Sequence, residues 1–246
     1  MTPSGNTILV TGGGSGIGRE LAREFQRAGN TVIIAGRRDD ALAETIGDRA
    51  NMAALALDIA DARETDAFAA RLLAEWPALN VVVNNAGIMQ AEHPVDTAVA
   101  EAIIATNLVG PIRLTAALLP HLRAQAHAAL INVSSALAFV PFAATPTYCA
   151  TKAALHSWTV SLRHQLRETG VEVIEIIPPA VQTELQPGQS SSPYAMPLAA
   201  FMAETMAQLR LAPTPPEIFG DFAGALRGVV DDARFTAVFA PMNGAG

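Results

Sequence analysis

Short apolar runs rich in β-branched residues alternate along this chain with longer stretches whose apolar positions recur at helical spacing, and that alternation admits few folds. Thr7–Val10, Thr31–Ala35, Met52–Leu57, Leu79–Val83, Leu130–Val133 and Val171–Ile177 read as strands. Gly18–Ala28, Ala62–Trp76, Thr106–Gln125 and Ala150–Glu168 read as helices between them. Strands that are apolar along their whole length need cover on both faces, and strand–helix–strand units supply it in a parallel sheet with right-handed crossovers. The expected fold is therefore α/β: a doubly wound parallel sheet flanked by helices on both faces. A length of 246 residues calls for a single domain over 1–246. Only 5% of the residues are aromatic, so the core must be built from Ala, Val, Leu and Ile.

The regular pattern fails after Ile177. Gln182–Pro197, rich in Pro, Ser, Gln and Gly, reads as a mobile loop. Pro197–Leu211 reads as a helix, Glu217–Phe219 as a short strand and Phe222–Val230 as a last helix. The segment at about 182–211 is expected to act as a substrate loop and lid.

A net charge of −7 argues against nucleic acid or an anionic membrane surface as partner. Cys149 is the only cysteine, which excludes an internal disulfide and a cysteine metal cluster, and no metal is expected. The N-terminus lacks the basic and long apolar regions of a leader, and no apolar run reaches the roughly 18 residues needed to span a bilayer. These features point to the cytoplasm.

The first strand runs into Thr11-Gly12-Gly13-Gly14-Ser15-Gly16-Ile17-Gly18 and then directly into a helix. A pyrophosphate needs backbone N–H groups aimed at it, a positive helix end and no side chains in the way, and glycines at this junction meet all three needs. A flexible turn is the plain alternative; the position between first strand and amphipathic helix favours a nucleotide. No Gly-Lys-Ser/Thr follows, which disfavours an ATP-type loop. The second strand ends in Ala35-Gly36-Arg37-Arg38, with Gly36 where an NAD binder usually keeps an acid. Arg37 can pair with a 2′-phosphate, so NADP(H) is favoured over NAD(H); Arg38 reads as an exposed residue starting a helix, and Asp39 and Asp40 as acids in its first turn.

Tyr148-Cys149-Ala150-Thr151-Lys152 carries the chemistry. Tyr-x-x-x-Lys puts a phenol and an ammonium on one helix face, a turn apart. The cation favours the phenolate and should draw a pKa of about 10 toward the working range. Lys152 is the only lysine among sixteen basic Lys and Arg residues. Ser134 and Ser135 close the strand Leu130–Val133, where ligands sit in open α/β sheets, although serines there are often simple turn formers. Asn107 is polar at the start of an apolar helix and by itself reads as an N-terminal cap. Asn84-Asn85-Ala86-Gly87 closes the fourth strand and by itself reads as a turn.

Together these motifs resemble the short-chain dehydrogenase/reductase family, from Thr11 to about Thr183. They are also similar, in Pro178-Pro179-Ala180-Val181 and Phe139-Val140-Pro141, to a sub-branch of bacterial oxidoreductases first named from lipoteichoic-acid D-alanylation operons. The resemblance implies a single Rossmann-type domain and a catalytic tetrad of Asn107, Ser135, Tyr148 and Lys152. Tyr148 would be the acid/base, with Lys152 holding the nicotinamide ribose and lowering the tyrosine pKa. Ser135 would orient the substrate oxygen and Asn107 would anchor a water. It also implies cofactor contacts from Gly12, Ser15, Gly16, Ile17 and Gly18 at the pyrophosphate and from Asp58 and Ile59 at adenine. Asn85 would lie beside the adenine-side ribose, and Val181 and Thr183 would meet the nicotinamide carboxamide and phosphate. The chain departs from the pattern at Ser15, where NADP users often carry a basic residue and which leaves Arg37 alone. It departs again at Pro179, which replaces a glycine and stiffens the path, and in the tail after Phe219.

The activity implied is an NADPH-dependent carbonyl reductase or secondary-alcohol dehydrogenase acting on a ketone or aldehyde. Leu137, Phe139, Val140, Phe142, Tyr194, Met196, Phe201 and Met202 are candidates for an apolar pocket, which would suit aromatic or alkyl substituents. A reductase of carrier-bound 3-oxoacyl groups and a non-catalytic NADP-sensing regulator are the rivals. A homodimer or homotetramer is expected, with Thr106–Gln125 and Ala150–Glu168 as interface helices.

Overall fold

The computed structural model describes residues 1–92 and 96–229, together with Pro241. Seven strands form one sheet: β1 (Thr7–Thr11), β2 (Thr31–Gly36), β3 (Met52–Ala56), β4 (Leu79–Asn84), β5 (Ala128–Val133), β6 (Val171–Ile176) and β7 (Glu217–Ile218). Their spatial order is β3-β2-β1-β4-β5-β6-β7, and every pairing is parallel. The doubly wound architecture expected from the alternating pattern is the one found.

Successive strand residues point to opposite faces, and each face has its own core. Ile8, Val10, Ile34, Val83 and Ile176 pack with α1 (Gly16–Arg27), with Leu42 of α2 (Asp39–Ile46) and with α7 (Leu198–Leu209). Leu9, Ile33, Val82, Leu130 and Val173 pack with α3 (Ala62–Glu75), α5 (Gly110–Ala124) and α6 (Pro146–Gln165).

Two helix starts differ from expectation by more than a turn. The helix read as starting at Thr106 begins earlier, as α4 (Thr97–Ile104), and passes through a π-turn at Ala105–Val109 into α5. Asp96 caps it by accepting from the amides of Ala98 and Val99. Asn107 is therefore inside the helical run and is not its cap. The combined helix Thr97–Ala124 is long and apolar enough, by length and mean hydropathy, to cross a membrane, which corrects the reading that no run reaches that length. Its Leu114, Leu118 and Leu122 are buried against the sheet. The helix carrying the Tyr-x-x-x-Lys motif starts at Pro146, a residue preorganised for a first helical turn, rather than at Ala150. Its start is fastened from afar: the buried Glu92 carboxylate accepts from the Thr147 amide at 3.0 Å and from its hydroxyl at 2.8 Å. A carboxylate at a helix N-terminus also meets the positive end of the dipole.

After β6 the chain is tied down rather than extended. The amide of Gln182 donates to the Met196 carbonyl and that of Met196 to Ala180, closing 182–196 into a loop. Gln189 bonds the Val181 carbonyl from within it at 2.7 Å. The following α7 buries Phe201, Met202, Met206 and Leu209 in the core beside α1. α8 (Asp221–Arg227) matches the last expected helix, whose final residue, Val230, lies outside the described residues.

Candidate active site

The strand order turns at β1 and β4, where neighbouring strands send their following helices to opposite faces and a crevice opens at the carboxyl ends. The Thr11 hydroxyl ties the two sides, accepting from the amides of Asn85 and Ala86 at 3.0 Å and donating to the Val83 carbonyl at 3.2 Å. A cleft of about 570 Å³ occupies the crevice.

At one end the walls are main chain. Gly12, Gly14, Ser15, Gly16, Ile17 and Gly18 all line the cleft. Gly12 and Gly16 have φ of +66° and +52°, a backbone region that side chains rarely tolerate. At Gly18 a Cβ would lie 2.3 Å from the Asn85 side-chain nitrogen and 2.4 Å from the Gly12 carbonyl, so α1 packs against the turn only because hydrogen is there. Ser15 precedes α1 without capping it through its side chain. The helix thus presents first-turn amides, a positive dipole end and a surface bare of side chains, which together fit a pyrophosphate.

Arg37 and Arg38 both line the same end, and Arg38 Nη2 reaches the Ser15 hydroxyl at 3.3 Å. Arg37 is therefore not alone, and Arg38 is more than an exposed helix start; Ser15 is the size that lets the second guanidinium come across. Asp58 and Ile59 lie on the adjoining wall. The Asp58 carboxylate accepts from the Ala60 amide at 3.0 Å, which fixes the turn after β3. Asn85 also lines the cleft, but its amide nitrogen is engaged by the Thr11 carbonyl at 2.9 Å, so it braces the glycine turn.

At the other end the walls are side chains. Tyr148, Lys152, Ser134 and Ser135 line the cleft, from α6 and from the end of β5. Ser135 is close enough to the phenol to favour its ionised form. The Lys152 ammonium lies 5.6 Å from the tyrosine ring centroid and donates to the Val133 carbonyl at 2.8 Å. Asn107, fully buried, exchanges two 2.8 Å hydrogen bonds with the backbone of Ile88. A Cβ on Gly87 would stand 3.4 Å from Asn107 Oδ1 and 3.8 Å from Lys152 Nζ, so one small space serves all three residues. Val181 and Thr183 complete the wall across from α1, with Thr183 in contact range of Gly16. Pro178 and Pro179 also face the cleft; the stiff path keeps the Pro178 carbonyl paired with the Ala136 amide at 2.9 Å.

One electrostatic expectation is corrected. The surrounding protein does not draw the Tyr148 phenol toward neutrality. Burial pushes it up to about 12, with Ser135 working weakly the other way. Burial also pulls Lys152 down to about 8, against the field of Glu175, which favours the ammonium. Both shifts have one cause: in a site this dry the neutral forms are favoured.

The apolar candidates separate. Leu137 and Phe142 pack around Tyr148 with Ile88 and Met89. Phe201 and Met202 belong to the core beside α1, Met196 packs on that core, and Val140 is fully buried against α8. Phe139 stacks edge-on against His156, and Tyr194 is 93% exposed. Apolar character alone could not tell pocket from core. Sequence reasoning also missed Thr106, Leu185 and Gln189, which line the cleft because a π-turn and a closed loop turn them inward.

A glycine cradle at the sheet's switch point and a Ser–Tyr–Lys group at the far end of one cleft define a dehydrogenase of the short-chain type. The chain belongs to the short chain dehydrogenase family, whose pattern residues 6–193 match. It is similar, at 47% identity over 190 residues and 75% of each chain, to the uncharacterized oxidoreductase DltE of Bacillus subtilis, in keeping with the sub-branch resemblance. Its fold is similar to a short-chain dehydrogenase from Streptomyces avermitilis, with a TM-score of 0.81, 29% identity and 96% of each chain covered. The closed form of a serine dehydrogenase complexed with NADP+ is also similar, with a TM-score of 0.76, 29% identity and coverage of 86% of this chain and 92% of that one.

Proposed function

We propose that this protein is an NADP(H)-dependent carbonyl reductase or secondary-alcohol dehydrogenase, working in the cytoplasm on a ketone or aldehyde with apolar or aromatic substituents, or on the matching alcohol. The observation that carries this is the cleft itself, with two arginines and a helix N-terminus at one end and Ser135, Tyr148 and Lys152 at the other. The glycine turn and first-turn amides of α1 would hold the pyrophosphate, Arg37 and Arg38 the 2′-phosphate, Asp58 and Ile59 the adenine, and Asn85 the nearby ribose. Val181 and Thr183 would meet the nicotinamide end. When bound, the cofactor supplies or accepts the hydride.

Tyr148 gives a proton to the carbonyl oxygen in reduction and takes it back in oxidation. Ser135, which lines the same end of the cleft, orients the same oxygen and stabilises its developing charge. A phenol held at about 12 is well suited to stay protonated until an alkoxide forms beside it. Lys152 supplies the positive field that stabilises the phenolate left behind, and Asn107 holds the helix-to-loop contact at Ile88 that frames the relay. Ile88, Met89, Leu137 and Phe142 around Tyr148 support an apolar substrate group.

A carrier-bound 3-oxoacyl substrate is disfavoured because the loop 182–197 holds no Lys or Arg to dock an acidic carrier. A sensor without turnover would not need the buried Ser–Tyr–Lys set. Exposed Ile104, Val109 and Val160 on α4–α6 support assembly through those helices. A panel of ketones, aldehydes and 3-oxoacyl thioesters, assayed at 340 nm with NADPH and NADH, tests the reading. Tight cofactor binding with no turnover across the panel would overturn it.

A further inference from the structure

The helix face that carries Tyr148 and Lys152 continues to His156, four residues on again. Its Nδ1 lies 2.9 Å and 3.1 Å from the two carboxylate oxygens of Glu175. Glu175 stands on β6, an interior strand whose other acid, Glu172, is exposed and paired with the N-terminal amine, whereas the Glu175 side chain is wholly buried. An ionised carboxylate in such a place costs several kcal/mol unless paired, so the position asks for an explanation. Among the described residues its side chain hydrogen-bonds to His156 alone. Lys152 lies one turn before His156 on that face, and its ammonium donates to the carbonyl of Val133, the β5 residue that pairs with Ile176, the neighbour of Glu175 on β6. The carboxylate thus stands behind the lysine in the same buried layer, where its charge favours the ammonium that burial opposes.

The other charged groups packed around this pair are already answered. Glu217 on β7 comes close to His156 and Glu175, but Arg227 of α8 pairs with it at 3.2 Å. That same guanidinium sits 5.1 Å over the Phe139 ring, which in turn covers His156 edge-on. Arg163, further along α6, is turned to the carbonyls of Val173 and Pro216. Tyr148, Lys152 and Cys149, whose thiol is engaged by Phe142 and Thr145, are the remaining titratable side chains of that helix face. Glu175 is thus left facing one imidazole and one ammonium.

We propose that Glu175, held in place by His156, is the buried counter-charge of Lys152, and that the pair positions the lysine and keeps it cationic while Tyr148 exchanges its proton. His156 and Glu175 are positioning residues here; neither lines the cleft. The link to turnover rests on the function proposed above, whereas the link to the charge of Lys152 does not.

The chain offers a direct probe, because Lys152 is its only lysine. Protein labelled with 13C at lysine Cε gives one side-chain resonance, whose pH titration reports Lys152 without assignment. In the full-length protein, Glu175→Gln should lower the titration midpoint by about one pH unit, at the low end of what an opposite charge nearby does. Glu175→Asp should recover most of that shift. His156→Gln keeps a donor for the carboxylate and should stay near wild type, whereas His156→Phe leaves it unpartnered and should move the midpoint the same way as Glu175→Gln. A pair that only braced the fold would lower Tm and leave the lysine midpoint in place. An unmoved midpoint in folded Glu175→Gln overturns the proposal; if that variant does not fold, equal midpoints in His156→Phe and His156→Gln overturn it. The alkaline limb of NADPH-dependent turnover should shift with the resonance. A limb that stays put while the resonance moves upholds the counter-charge and removes Lys152 from the chemistry.

Discussion

The two ends of the cleft are made of different materials. On the side of β1, β2 and β3 the surface is largely backbone, shaped by glycines and flanked by guanidinium groups at the rim. On the side of β4, β5 and β6 it is side chains, nearly all buried, whose protonation is set by how dry they are. One end therefore depends on volume and the other on charge. Damage to the first should be felt in cofactor binding, and damage to the second in turnover and in its pH dependence.

The largest expected effect is on the charged side. Tyr148→Phe should cut turnover by about 10³-fold, the scale of a lost general acid. NADPH affinity, read by fluorescence titration, should change less than about threefold, since only the phenol oxygen is lost. A variant that kept a tenth of its activity would remove the tyrosine from its role.

Next is the alkaline stability of the fold. Lys152 titrates at about 8 in the folded chain against an ordinary 10.5. Between those values the unfolded chain binds the extra proton, so stability should rise with pH across that window, by up to about 3 kcal/mol. Tyr148 acts in the opposite sense: with a folded value of about 12 against an ordinary 10, its contribution is complete below pH 10 and is lost toward 12. With one lysine and two tyrosines in the chain, few other groups blur the result. Urea unfolding at pH 7.5 to 10 should show the rise in wild type and lack it in Lys152→Met. A rise that persists in the variant breaks the contrast, because the charged end would then not be dominated by desolvation.

On the backbone side, Gly18→Ala places a methyl 2.4 Å from the Gly12 carbonyl. Overpacking of that kind costs about 1–3 kcal/mol, which should appear as a lower Tm and a weaker Kd for either dinucleotide. Unchanged binding would mean the turn is not a cradle. Smaller still, Arg37→Ala and Arg38→Ala should each weaken NADPH by about tenfold, the scale of a charge-assisted hydrogen bond, and leave NADH nearly untouched. If Arg38→Ala had no effect while Arg37→Ala did, the contact between Arg38 and Ser15 would be only local.

How much of this was legible in the sequence differs from element to element. The strands were, because β-branched runs with both faces apolar have few other uses. α4 was not, although Asp96 carries a cap signal, because its Ala- and Ile-rich turns lack a polar face to give a period. The start of α6 at Pro146 could have been read from the proline, but Glu92 as its fastening could not, since the two are far apart along the chain. Local spacing points to the glycine turn, Arg37, Tyr148 and Lys152, whereas Ser135 stands out from Ser134 only through the family resemblance. Arg38 was assigned to the surface, since only the fold brings Ser15 beneath it.

Periodicity and motif spacing are relations among neighbours on the chain, so the sequence by itself determined the parallel sheet, the cradle and the phenol–ammonium pair a turn apart. Desolvation and long-range pairing depend on which surfaces meet, so the tertiary structure alone decided three things. It set the direction in which Tyr148 and Lys152 are pushed, divided the apolar residues between pocket and core, and put a buried carboxylate from β6 behind the lysine. The physical reason is that burial removes water, which otherwise screens a side chain from everything except its closest neighbours.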